Sequence, residues 1–552
     1  MIKKVLGKTS KSITAAAAIL AFSSIGSGLL GFLRDRLLAG RFGASQELDI
    51  YYAAFRIPNL VFAILVSGGI IAAFMPIFSE YYNKDQKKAW ILVNNVLNAF
   101  ALFSIIICGI LFLFAPQLIK LVVPGFTPDN MAQTVALARI IFLSPILFGI
   151  SNIFSSILQY FNRFIAFSLA PIFYNLGIIF GILFLLPTFG LKGLAFGVVL
   201  GALMHWLIQV PSAIVSGFKY RPIFNLRSEG LRRMFWLMMP RTFSAIASHF
   251  NLIIITAIAS TLGVGNISIF SFAENLRSFP ISIIGGSFAV AAYPFLARFW
   301  ANKEKGKFFE SFSSTFRQSL FLVIPISCLL ILLRAPIVRI VLGTGKFDWI
   351  DTRLTAACLG LFGIGIFTYT LIPFFQRVFF SVHNTKTPFF NSVLALGFNV
   401  GLSYILVWAL SFSNFFSNFI ANLLHLKDIN GISVIGLPLS ISITGICQFI
   451  LLLYLLKRRV QELPFKEIWQ SAKKIIMASF VMSVAVYFVM FGVSEFINVL
   501  SAKAVLLQAA IAVIIAVIVY ILMCVVLRVG ELKSFLNVFL SRFKRKESNL
   551  DQ

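Results

Sequence analysis

Apolar residues run along this chain in blocks of twenty or more, and polar residues collect in short links between them. A helix of about 20 residues crosses the hydrocarbon of a bilayer, and windows of that length place spans near 13–38, 48–81, 88–114, 132–159, 165–187, 191–217 and 232–262. They continue near 265–298, 312–333, 352–381, 387–411, 432–456, 472–494 and 503–527. The pattern predicts roughly fourteen transmembrane helices, an all-α polytopic membrane protein. An even count returns the chain to the side where it began. Lys and Arg gather in "KKVLGKTSK", "NKDQKK", "KYRPIFNLRSEGLRR", "ANKEKGK", "KRRVQELPFKEIWQSAKK" and "SRFKRK". Cation-rich links stay on the cytoplasmic side, so both termini are expected there. The links near 40–48, 120–131, 187–192, 343–353 and 412–431 are then expected to face outward.

The blocks also repeat. "IAAFMPIFSEYYNKDQKKAW" (71–90) matches "AVAAYPFLARFWANKEKGKF" (289–308), and "LFAPQLIKLVVPGF" (113–126) matches "LRAPIVRIVLGTGKF" (333–347). "LAPIFYNLG" (169–177) aligns with "KTPFFNSVL" (386–394), and "GLAFGVVLGA" (193–202) with "GLPLSISITG" (436–445). The offsets are about 218, 220, 217 and 243, the last lengthened by the 412–431 link. Two six-helix lobes in parallel orientation are expected, 1–220 and 221–460, facing each other across an axis along the membrane normal. Residues 461–552, with the last two spans and a basic tail, lie outside the repeat. Prolines inside the spans, among them Pro58, Pro76, Pro171, Pro280, Pro294 and Pro373, remove backbone donors and predict kinks or breaks.

Composition agrees with this pattern and narrows the chemistry. The 552 residues are 59% hydrophobic and 12% charged, with 62 Phe and a mean hydropathy of +0.93; a soluble domain carries about twice that charged fraction. The net charge of +28 would suit nucleic acid, but its confinement to links between apolar spans points to the anionic membrane surface and not to nucleic acid. Cys108, Cys328, Cys358, Cys447 and Cys524 stand singly in apolar spans and read as small hydrophobes. His205, His249, His383 and His425 are equally isolated, so neither metal nor cofactor is expected. The basic start followed by "ITAAAAILAF" reads as an uncleaved first helix, because the apolar pattern runs straight on.

The informative residues are the charges inside the spans, where each costs about 2.5–3.5 kcal/mol to insert and faces a cavity or a partner. Arg34 and Asp35 lie at the outer part of the first span, and Asp49 and Arg56 early in the second. Arg241 sits just inside the seventh, and Glu274, Asn275 and Arg277 lie within the eighth. The repeat places Arg56 and Arg277 in approximate correspondence, each two or three residues before a proline. Arg36 and Arg41 read as interfacial residues that snorkel. The others divide between structural pairing and a polar, net-basic central cavity. A cavity of that sign suits a phosphate or diphosphate, which arginine forks bind bidentately.

"GFLRDRLLAGRFGASQELDIYYAAFRIPNL" (31–60) strongly resembles the start of the MurJ (MviN) family of lipid II flippases, and "AFMPIFSEY", "APQLIKLVVPGF" and "NTKTP" continue the likeness along essentially the whole chain. The resemblance implies a MATE-like fold of the multidrug/oligosaccharidyl-lipid/polysaccharide exporters, in a bacterial plasma membrane. It also implies movement of an undecaprenyl-diphosphate-linked peptidoglycan precursor from the inner to the outer leaflet. Arg34, Asp35 and Asp49 match functional positions of the family directly. Three positions where the family carries arginine are Gly28, Phe62 and Asn275 here, and Arg277 and Arg241 are the candidates to supply replacement charge. The last two spans are expected, by resemblance, to offer a groove for the prenyl tail.

Lipid II is thus the expected partner, together with membrane lipids. The chain is expected to be monomeric, and coupling to the membrane potential or a monovalent ion is left open. Another polyprenyl-diphosphate glycan and a multidrug antiporter of the same fold are the alternative cargo readings. A polymerase or ligase would need clustered carboxylates or histidines, which the nineteen acidic residues do not form, so a transporter is expected and not an enzyme.

Overall fold

A computed structural model of the chain describes residues 13–64, 70–429, 431–460, 463–496 and 502–535. Every long regular element among them is an α-helix, and no strand occurs among them. Eleven of the helices are long and apolar enough to cross a membrane. The other three expected spans coincide with the helix Ile13–Phe42, the broken run Gln46–Ala54, Arg56–Phe62 and Ile70–Lys84, and the helix Glu229–Ser260. These three are not among the eleven. Residues 65–69 of the second lie outside the described residues, as do the side chains of 13–18 in the first and of 239–245 in the third.

The repeat reappears in the order and length of the elements. Ile70–Lys84 and Ser287–Ala301 are both 15 residues long, each with an internal proline, Pro76 and Pro294. Gln86–Leu113 and Lys305–Leu332 are both 28 residues long. Each is followed, after one non-helical residue, by a short helix carrying a proline in its first turn, Ala115–Val122 and Arg334–Leu342. The proline explains the break before it, because its ring collides with the carbonyl four residues back and it has no N–H to offer.

By packing, the chain divides into two compact units, residues 1–268 with 344–348, and residues 269–343 with 349–552. The repeat places a boundary near 220, whereas packing places Glu229–Ser260 with the first unit. The contacts that hold it there are specific. Arg233 pairs with Glu80 at 3.0 Å, Gly125 N–H donates to Ser260 Oγ at 3.2 Å, and Arg56 Nε donates to Thr256 Oγ1 at 2.7 Å.

Within the first unit, Phe164–Phe180 and Leu191–Leu207 approach through glycines. A Cβ on Gly197 would stand 2.7 Å from the Cα of Gly181, and one on Gly177 2.3 Å from the Cα of Gly201. Small residues four apart bring helix backbones close where lipid offers no hydrophobic drive for association. A second core of this unit collects Phe74, Phe78, Phe154, Trp90 and Phe161. The second unit is centred on Phe308, Phe312, Phe374, Phe375 and Phe379, all essentially inaccessible. Phe465–Phe496 packs there against Ala502–Val526 and Lys305–Leu332, and Tyr520 Oη donates to the Phe321 carbonyl at 2.7 Å.

Candidate functional site

The charges within the spans are held in distinct ways. On the first helix, Arg34 donates from Nε and Nη2 to one oxygen of Asp35, at 3.0 and 2.8 Å. Its Nη1 reaches Asn175 Oδ1 at 3.3 Å. Asn175 in turn donates to Ser27, through both its carbonyl and its hydroxyl. Asp35 is buried, while Arg34 keeps 22% of its side chain accessible. The pair is therefore anchored on its acid side and open on its guanidinium side.

Asp49 is 1% exposed, and three donors occupy its carboxylate: Gly265 N–H at 2.7 Å, Ser268 N–H at 2.7 Å and Ser268 Oγ at 2.6 Å. These donors belong to the start of the helix Asn266–Pro280. A carboxylate at a helix N-terminus satisfies orphan N–H groups and meets the positive end of the dipole. Gly265 makes this approach with a φ of +85, and a Cβ there would stand 2.4 Å from the Ala44 carbonyl oxygen.

Arg56 opens a new helix. Pro58 lies in its first turn, and the chain breaks at Phe55 because the Pro58 ring collides with the Ala54 carbonyl. The half-buried guanidinium donates to Thr256 Oγ1, whose own hydroxyl donates to the Leu252 carbonyl at 2.7 Å. Arg241 lies on Glu229–Ser260, but its side chain falls outside the described residues.

In the second unit, Arg277 stands on the last turn of Asn266–Pro280, just before a π-helical segment, Ile281–Gly286. Its Nε and Nη2 take the two oxygens of Glu274 at 2.6 and 3.1 Å. The guanidinium carbon lies 4.1 Å from the Phe362 ring centroid and 4.9 Å from that of Tyr369. Arg277 is 6% exposed, yet its Nη1 has no hydrogen-bond partner among the described residues. A buried cation stacked between aromatic rings and clamped by one carboxylate has its position set; one donor remains to be satisfied. Asn275 is half-buried on the same helix.

The structure thus pairs Arg34 with Asp35 and Arg277 with Glu274, and it sends Asp49 to a helix N-terminus and Arg56 to a threonine. A model of the lipid II flippase MurJ family matches residues 38–508. The chain belongs to the MurJ family of lipid II flippases. Among its relatives, the probable lipid II flippase MurJ of Buchnera aphidicola subsp. Acyrthosiphon pisum is 29% identical, covering 86% of this chain and 90% of its own. The lipid II flippase MurJ of Burkholderia cenocepacia is 29% identical over 66% of this chain and 72% of its own. A solved lipid II flippase MurJ in an inward closed conformation superposes with a TM-score of 0.72 at 24% identity, over 93% of this chain and 99% of that one. An inward-facing MATE family multidrug resistance transporter of the MOP superfamily superposes at 0.60 and 14% identity, over 81% and 98%. The MurJ- and MATE-like polytopic fold expected from the sequence is therefore the fold of this chain.

Set against the family pattern, Gly28 and Phe62 leave no cation at their positions, and Phe62 instead packs edge-on against Phe148 at 5.3 Å. Sequence reasoning missed Asn175, Thr256, Ser268, Phe362 and Tyr369, the neutral partners of the charges. Hydroxyls and amides are common in transmembrane helices, so nothing along the chain singled these out. Among the described residues no group of His, Cys, Asp and Glu could hold a metal ion.

Proposed function

We propose that this chain is a lipid II flippase that moves the undecaprenyl-diphosphate-linked saccharide from the inner to the outer leaflet by alternating access. Arg277 carries the reading: a membrane-buried guanidinium held by Glu274 and two rings, with Nη1 unsatisfied among the described residues. A diphosphate oxygen is the acceptor that such a donor lacks, and a charge-assisted bond is strong where water is excluded. Within the first unit, Arg34, tethered through Asp35 and partly accessible, and Arg56, seated on Thr256, are the cations offered to a phosphate oxygen. Glu274 and Asp35 orient these cations, Asp49 braces the start of the helix that carries Arg277, and Asn275 and Arg241 complete the set.

The saccharide cannot cross hydrocarbon and the prenyl tail need never leave it, so movement of the two lobes against each other suffices. A headgroup of about two negative charges moving outward across an inside-negative potential gains about 2.3 kcal/mol per charge per 100 mV. The membrane potential therefore favours export where no compensating ion moves with the headgroup. The chain acts as a monomer in the bacterial plasma membrane, with both termini cytoplasmic.

Depletion of the protein tests the assignment, since lipid II should accumulate on the cytoplasmic leaflet. Accumulation of a different polyprenyl-diphosphate glycan with normal lipid II export would favour the second reading, which the losses of arginine at Gly28, Phe62 and Asn275 motivate. Gly28→Arg with Asn275→Arg sharpens this. A large gain in lipid II transport would mean that the native site is built for another cargo.

A further inference from the structure

A crevice of about 860 Å³ lies in the second unit, walled by Lys305–Leu332, Trp349–Ser381, Gly436–Arg459 and the first turns of Phe465–Phe496. Its walls are apolar, with Phe316, Leu320, Phe367, Phe449, Ile468 and Ala472 among them, and Lys457 and Lys466 are the charged lining residues among the described ones. No described residue of Ala502–Val526 lines it, which distinguishes it from the groove expected between the last two spans. An apolar space of this size in a membrane has no polar partners to hold water, so hydrocarbon fills it.

We propose that this crevice binds one anionic phospholipid of the cytoplasmic leaflet, an acyl chain in the slot and the headgroup phosphate on Lys457 and Lys466. Charge complementarity selects the occupant. Residues 457–474 carry six cations, Lys457, Arg458, Arg459, Lys466, Lys473 and Lys474, against the two acids Glu462 and Glu467. This is a cation-rich link of the kind that stays at the cytoplasmic surface and attracts anionic lipid. Tyr454 and Trp469, both exposed lining residues, mark the headgroup level. Cations lie over their rings: Arg458 at 4.7 Å from Tyr454 and Lys473 at 5.3 Å from Trp469. A lysine ammonium meets a phosphate as a point charge, so two of them discriminate net charge rather than headgroup shape. The lipid would wedge between Phe465–Phe496 and the helices of the repeat, joining the terminal pair to the second lobe.

Native mass spectrometry of the full chain in mild detergent tests this, after delipidation and titration with phosphatidylglycerol or phosphatidylethanolamine of identical acyl chains. One phosphatidylglycerol should be retained per chain with a preference of at least about tenfold, which two surface lysines supply. Lys457→Gln with Lys466→Gln should abolish the preference while leaving the unfolding midpoint of the lipid-free protein unchanged, because both side chains are exposed. Ala472→Phe should reduce retention of both lipids by filling the slot. Equal retention of the two lipids by the unaltered chain, or a preference that survives loss of both lysines, would overturn the proposal. So would displacement of phosphatidylglycerol by equimolar undecaprenyl phosphate, which would make the slot a seat for a polyprenyl tail. None of these outcomes depends on whether the chain flips lipid II.

Discussion

The sequence repeat puts Arg56 and Arg277 only approximately in correspondence, and their surroundings differ. Arg56 follows a helix break and begins Arg56–Phe62, half-buried, with its Nε on the neutral Thr256. Arg277 lies in the last turn of Asn266–Pro280, which passes into the π-helical Ile281–Gly286, and is buried, with Glu274 on two nitrogens and two rings beside it. Pro58 lies two residues after Arg56 and the chain is broken at Phe55, whereas Pro280 lies three residues after Arg277 and the helix runs on through it into that π-helical segment. The carboxylates differ as well: Glu274 serves its own arginine, while Asp49 serves the backbone at Gly265 and Ser268. Duplication thus sets where a charge falls along the chain, and local backbone geometry sets what it can do.

Loss of Arg277 tests the comparison most strongly. Arg277→Ala should abolish complementation of a flippase-depleted strain. Because it leaves Glu274 without its cation, it should also cost about 3–5 kcal/mol of stability, read as a lowered unfolding midpoint in detergent. Arg277→Lys keeps the charge but loses the bidentate clamp and the planar stacking, so it should recover stability in part and transport poorly. Next in size is Asp49→Ala, which strands two backbone N–H groups and a hydroxyl and should cost about 2–4 kcal/mol; if the midpoint stays unchanged, Asp49 is no brace. Arg56→Ala should behave differently from both. Thr256 keeps its bond to the Leu252 carbonyl and no carboxylate clamp like that of Glu274 is lost, so stability should drop by less than in Arg277→Ala while transport falls. A stability loss as large as that of Arg277→Ala would erase the distinction drawn between the two arginines.

The smallest effect concerns a pair outside the proposed transport site. Asp428 meets Arg353 with both oxygens, at 2.7 and 2.6 Å, and Arg353 also donates to the His425 carbonyl. The hydrogen bonds from Arg353 hold the Asp428 carboxyl down at about 2, below its ordinary value near 3.9. A carboxylate shifted downward contributes stability above its unfolded value and loses it as pH falls through the folded one. The difference in midpoint between the unaltered chain and Asp428→Asn should therefore be constant from pH 5 to 8 and vanish near pH 2. Because the carboxylate is exposed, the difference should be small throughout.

What the sequence made legible follows from how local each interaction is. Glu274 and Arg277 lie three residues apart on one helix, a spacing that brings them together, and Arg34 and Asp35 are adjacent in the chain. The break near Pro58 was readable for the same reason, since a proline acts on the turn before it. Asp49 and Ser268, or Arg56 and Thr256, meet across some two hundred residues, and no periodicity reports a partner that distant. The packing of Glu229–Ser260 with the first unit was equally hidden, because an apolar span does not announce which apolar neighbour it prefers. The π-helical segments Gly181–Leu185 and Ile281–Gly286 were also invisible, their sequences being as apolar as the helices around them.

The most direct measurement is lipid II translocation in proteoliposomes holding the unaltered chain, Arg34→Ala, Arg277→Ala or both changes, with insertion and folding verified for each. The account predicts that the unaltered chain moves lipid II between leaflets and that each arginine variant, correctly inserted, does not. Translocation by the double variant at the unaltered rate, or no lipid II movement by the unaltered chain, would contradict it.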